Sequence, residues 1–189
     1  HVNIALIVKF MENYFFHPVD LPPVPRRDDP ANDDFLFHQG PARGLGKIRF
    51  HDFRPVFARW DLPNVRLFQE QTRALERLLL TATPTKEQAA DIDFLLALGE
   101  IFTLVVYAQL LLENAEIYGV ERDLVDQVFD VFVRDVSRFA VILQGKPTTT
   151  PAQAELCLQM VRRPEPDPER YARVWEQVLG LRDAYAMNP

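Results

Sequence analysis

Two long stretches of helical period meet at a single glycine. From Lys86 to about Tyr118, and again from Arg122 to about Gln144, apolar residues return every three or four positions. Only Gly119, Val120 and Glu121 lie between them. In the second stretch the repeat is Val125, Val128, Phe129, Phe132, Val136, Phe139 and Leu143. So short a link forces the two helices to lie side by side and antiparallel. No segment of strand length alternates apolar and polar residues, so this pair sets the class: an all-α helical bundle.

The other boundaries follow from caps and prolines. Residues 2–16 read as a first helix, apolar nearly all round. Val2, Ile4, Leu6, Ile7, Phe10, Met11, Tyr14 and Phe15 cannot share one face, so this helix is expected to be covered on several sides. Pro18 ends it, and residues 18–34 form a stiff proline- and acid-rich connector, laid across a surface or between lobes. Residues 35–50 are the least regular and hold the clustered glycines. Asp52 is placed to cap a short helix through Trp60, and Asn64 a helix over 65–80. Thr85 with Gln88 makes a capping box that opens the 86–118 helix. Thr150 before Pro151, and Asp167 before Pro168, start two more, the last ending near Tyr185. Six or seven helices result.

Composition excludes some functions. A net charge of −6 argues against a general nucleic-acid binder, which needs a basic face. The single cysteine, Cys157, rules out an internal disulfide and reads as a small packed hydrophobe. The charge-free run from Ile101 to Leu112 is shorter than the about 20 residues of a bilayer span and reads as a buried central helix.

Each candidate for chemistry meets a plainer reading. Gln39-Gly40-Pro41-Ala42-Arg43-Gly44-Leu45-Gly46-Lys47-Ile48-Arg49 has a Gly-Lys pair, as a phosphate-binding loop does. That loop needs four residues between its glycines and Ser or Thr after the lysine. Five intervene between Gly40 and Gly46 here, and Ile48 follows, so the motif fails. Arg43, Lys47 and Arg49 remain as a basic loop able to meet an anion or pack on a partner lobe. The histidines His1, His17, His38 and His51 form no helical ligand pair, so no metal is expected. His51-Asp52 suggests a base with its orienting carboxylate, but Asp52 is better used as a cap. Asp126, Asp130, Arg134 and Arg138 lie on one stripe, read as a solvated or interface face with an Asp130–Arg134 pair. Asp28, Asp29, Asp33 and Asp34 read as solvated loop acid rather than calcium ligands. No catalytic group stands out.

The opening, His1-Val2-Asn3-Ile4-Ala5-Leu6-Ile7, carries no capping residue before its first apolar turn, and is expected to continue a longer helical protein. It resembles the segment of the acyl-CoA dehydrogenase family that follows a Glu-Gly-Thr stretch. The block Gln39 to Asp52, and Asp91-Ile92-Asp93-Phe94-Leu95-Leu96-Ala97-Leu98-Gly99, are similar to blocks of a long, actinobacterial-type branch of that family. The resemblance implies the C-terminal part of an FAD-dependent enzyme that oxidises an acyl-CoA to its 2-enoyl form. Its catalytic glutamate, and most of the FAD site, would lie before His1, leaving this chain alone inactive. His1 and Asn3 match the polar positions that approach FAD, though the family more often has Glu and Gln there.

On this reading residues 1–17 are the last helix of the dehydrogenase-type core bundle, 18–50 a connector, and 51–189 a C-terminal helical extension. The implied partners are the N-terminal part of the same enzyme as a separate chain, further copies in a homo-oligomer, and the acyl-CoA substrate, with no nucleic acid and no membrane span. The implied location is cytoplasmic. Ile4, Leu6, Ile7, Phe10 and Met11 are expected to pack on helices outside this chain. An acyl-CoA oxidase part and a non-catalytic helical interaction module are the alternatives.

Overall fold

A computed structural model describes residues 2–29 and 48–185. The described residues are helical and contain no strand. The first helical stretch is α1 (Val2–Ile7), one 3-10 turn (Val8–Phe10) and α2 (Met11–Phe16). After the connector come α3 (Arg54–Ala58), α4 (Pro63–Thr81), α5 (Ile92–Tyr118) and α6 (Arg122–Gln144). Two shorter helices follow, α7 (Pro151–Gln159) and α8 (Pro168–Gly180), then a 3-10 turn at Arg182–Tyr185.

The pair α5 and α6 is the axis of the bundle, as the glycine link requires. Gly119 has φ 67°, a left-handed conformation that L side chains adopt at a cost, and its amide bonds back to the Ala115 carbonyl. α1 and α3 pack on α5, α4 on α6, and α7 and α8 on α6. By length and composition α5 is apolar enough to cross a bilayer, and half of that apolar window lies inside the bundle. Phe94, Leu98, Ile101, Phe102 and Leu112 are buried there, whereas Tyr107 and Leu110 on the other side stay exposed.

Aromatic rings join the two ends of the core. Tyr14 stacks on Phe53 at 5.1 Å and meets Phe102 edge-on at 5.3 Å. Phe57 stacks on Phe68 at 5.9 Å, and Phe68 meets Phe129 at 5.3 Å. Edge-to-face and offset pairs of this kind add to the apolar burial that drives folding.

Three boundary expectations change. The Thr85–Gln88 box forms, with the Gln88 amide N–H donating to Thr85 Oγ1 at 3.2 Å and the Thr85 N–H to Gln88 Oε1 at 2.9 Å. It opens only the 3-10 turn Gln88–Ala90. The long helix starts at Ile92, where Asp91 caps it by accepting from the Asp93 and Phe94 amides at 3.0 and 3.2 Å. Two caps in succession thus replace one. The last helix also stops earlier than its pattern suggests, at Gly180, and a 3-10 turn carries the chain on to Tyr185.

Asn64 is not a cap. It is the second residue of α4 and is wholly buried, because Pro63 takes the first position, where no N–H is needed. The Asn64 amide donates instead to Asp126 Oδ1 of α6 at 2.9 Å. Asp126 therefore leaves the solvated stripe on which the sequence pattern placed it. Asp126 is 2% exposed and also binds Arg170 of α8.

The first helical stretch packs on this chain's own helices. Met11 is buried, Ile7 and Phe10 join the same core, and Ile4 lies on Gly99 of α5. Only Leu6, at 49% exposure, faces outward as expected for a helix docked elsewhere. A Cβ on Gly99 would stand 2.4 Å from the Ile4 carbonyl oxygen, so glycine lets the two backbones touch.

Cys157 is buried with no exposure, as its pattern predicts, and burial pushes its thiol up to about 11. The native protein should resist alkylation by iodoacetamide at pH 8 and react fully once unfolded in urea, as read by intact mass. Fast native labelling would show that α7 opens readily.

Candidate functional site

The described residues that bring together the most ionisable chemistry sit where the proline connector crosses α5. His51 lies in the extended run before α3, and Gln109 and Glu113 lie one turn apart on α5. His51 Nε2 bonds Glu113 Oε1, and Gln109 Nε2 lies 2.8 Å from the same imidazole nitrogen and 3.0 Å from Glu113 Oε1. Beneath them the Tyr14 hydroxyl donates to Gln109 Oε1 at 2.6 Å.

Protonation follows from burial. Tyr14 is 1% exposed, and burial, then the charge of Glu113, raise its phenol well above the ordinary range. The phenol therefore stays protonated and donates, which turns the Gln109 carbonyl toward it and the Gln109 amide NH2 toward Glu113 and His51. Glu113 is 15% exposed along its side chain and His51 36%, so the pair is rooted in the core and opens outward.

The opening is a groove with a cavity of about 640 Å³. One wall is the connector, held at both ends. The Val19 N–H donates to the Phe50 carbonyl at 2.8 Å, and the Tyr118 hydroxyl donates to the Arg27 carbonyl at 2.9 Å. Arg26 lies over the Tyr118 ring at 5.3 Å. Between these ties Leu21, Pro22, Pro23 and Val24 face the groove, with Val56 and Ile117 opposite. Arg59 pairs with Glu116 at 2.8 Å on its rim.

The sequence-level candidates do not assemble here. His1, His38, Arg43 and Lys47, with the glycines 40, 44 and 46, lie outside the described residues. Asn3 is exposed on α1. Ile4 meets Gly99 and Tyr14 meets Gln109, so α1 and α2 run parallel to α5. Asn3 is thus roughly 15 Å from the histidine at 1.5 Å per helical residue. His17 is exposed, 3.6 Å from Glu12. Asp52 is not the N-cap of α3, which is Phe53 with no side-chain cap bond, but from one residue further out its carboxylate accepts from the Arg54 amide at 3.0 Å. Asp130 pairs with Arg134. Among the described residues no three His, Cys, Asp or Glu side chains gather as a metal site would need.

The His51–Glu113 pair was not legible as a pair, because 62 residues separate its members. One signal was present. Gln109 and Glu113 are a polar i,i+4 pair on an otherwise apolar stretch of α5, and such residues are kept inside a bundle when something polar meets them.

Comparison with family models, with curated proteins and with solved structures gives no match to this chain.

Proposed function

We propose that this chain is the C-terminal helical portion of an acyl-CoA dehydrogenase-like FAD enzyme, supplying packing surface and subunit contacts rather than the reacting groups. The observation that carries the packing role is the outer face of α8. Tyr171, Trp175 and Val178 follow at helical spacing, each about half exposed, beside Leu179. The Tyr171 and Trp175 rings stack on each other at 6.4 Å instead of on a neighbouring helix. A contiguous apolar face of this kind marks a contact surface. Tyr107 and Leu110 on the open side of α5 add a second.

The flavoprotein part of the reading rests on the resemblance. Two of the segments that carry it touch, since Ile4 of the opening lies on Gly99 at the end of the Asp91–Gly99 block. A third ends further along the same helical stretch, with Phe50 against Tyr14 at 5.4 Å. The α,β-dehydrogenation would use a carboxylate base and FAD held by the preceding part of the enzyme, with His1 and Asn3 at the rim of the cofactor.

Affinity purification through a tag on this chain tests the reading. The expected product is yellow, with flavin absorption bands, and intact mass shows a larger companion chain that ends near a Glu-Gly-Thr stretch. A colourless, monodisperse single chain would instead favour the non-catalytic interaction module, which the same uncovered faces also suit.

A further inference from the structure

We propose that the groove under the proline connector binds a small organic cation: a primary ammonium on an apolar body, with the ammonium taken by Glu113 and Asp20 beside His51. The groove is lined by described residues of this chain, and none of them is one that the resemblance assigns to the flavin.

Size and lining come first. A cavity of about 640 Å³ lies in the range of small-molecule sites. Its apolar walls come from two separate parts of the chain, Leu21 to Val24 on the connector and Val56 with Ile117 on the helices. An alkyl or aryl body fits between them.

Charge then selects the sign. Asp20, Asp52, Glu113 and Glu116 all line the groove. Arg59 answers Glu116 at 2.8 Å, and Arg54 answers Asp52 at 3.0 Å. Asp20 is exposed and has no ion pair or hydrogen bond among the described residues. Glu113 has only the His51 imidazole and the neutral Gln109 amide. Two carboxylates thus reach the groove without a permanent cation.

The His51–Glu113 pair adds a more specific demand. The Gln109 carbonyl accepts from Tyr14, which turns the Gln109 NH2 toward Glu113 Oε1 and the His51 imidazole. Both bonds to Glu113 fall on Oε1, which leaves Oε2 without a hydrogen bond among the described residues. An ammonium brings three donors and a positive charge, which the two carboxylates of the groove can use. A carboxylate ligand would meet like charge, and an alcohol would bring one donor and no charge.

Calorimetric titration of the 189-residue chain with hexylamine, hexan-1-ol and hexanoate tests this. Saturable binding is expected for hexylamine alone. Glu113→Gln should weaken it by about tenfold or more, as removal of a sheltered charge partner does. Asp20→Asn, on the exposed connector where folding is not at stake, should weaken it a few-fold, with an unchanged far-ultraviolet dichroism spectrum. No saturable heat with hexylamine, equal binding of hexanoate, or wild-type affinity in both variants would overturn the assignment.

Discussion

Arg170→Ala is expected to cost about 3–5 kcal/mol of stability, the largest loss of any single charged residue in the bundle. Arg170 is 4% exposed, and its partner Asp126 is 2% exposed. Arg170 also donates to the Glu165 carbonyl at 3.2 Å, while Asp126 accepts the Asn64 amide. Four chain segments therefore meet at one ion pair: the start of α4, the second turn of α6, the loop before α8, and α8 itself. Truncating Arg170 strands a carboxylate in a place where water cannot reach it. The paired change Arg170→Leu with Asp126→Asn should recover part of the loss, because the substituted side-chain amide carries no charge and keeps one oxygen for the Asn64 N–H, while giving up the oxygen that accepts from Asn64 Nδ2. Urea unfolding at constant m-value measures both. A loss below about 1 kcal/mol for Arg170→Ala would place the pair among weak surface bridges instead.

Gly99→Ala should destabilise, against the usual trend. Alanine in a helix interior is favoured over glycine by about 1 kcal/mol. At Gly99 the added carbon would sit 2.4 Å from the Ile4 carbonyl oxygen and 3.0 Å from Ile4 Cγ2. The first is backbone and cannot turn aside, so α1 must lift from α5. Overpacking of this sort costs about 1–3 kcal/mol, which outweighs the propensity gain. The separate readout is trypsin cleavage after Lys9, which lies exposed in the turn between α1 and α2 and should be cut faster in the variant. A raised melting temperature with unchanged cleavage would mean that the close approach carries no strain.

Why some of this was legible in the sequence and some was not has a physical basis. The starts of α6, α7 and α8 were placed correctly because their signals are local: the tight glycine link before Arg122, and Pro at the first position after Thr150 or Asp167. Asn64 and Asp126 were misplaced because their bonds are long-range. Short polar side chains read as caps or solvated faces until another helix closes over them. The same limit hid His51 and Glu113, whose relation depends on how a proline connector crosses α5. The flavin-rim residues His1 and Asn3 are implied by the resemblance alone, and Asn3 stands apart from that groove. The resemblance and the groove therefore lead to different chemistry in different places.

A second capping box opens α7, where the Gln153 N–H donates to Thr150 Oγ1 at 3.3 Å and the Thr150 N–H to Gln153 Oε1 at 3.0 Å, and with the Thr85–Gln88 box it carries a further consequence. Gln88 and Gln153, each 1% exposed, hold one another as well as their own threonines. Gln88 Nε2 donates to Gln153 Oε1 at 2.7 Å, and Gln153 Nε2 donates to Gln88 Oε1 at 3.0 Å. Each amide completes a helix start and clasps the other. Fraying of the turn at residues 85–90 therefore leaves the buried Gln153 amide without its Gln88 partner, and the reverse holds. Two segments far apart in the chain become a single cooperative latch, which opens as one or stays shut.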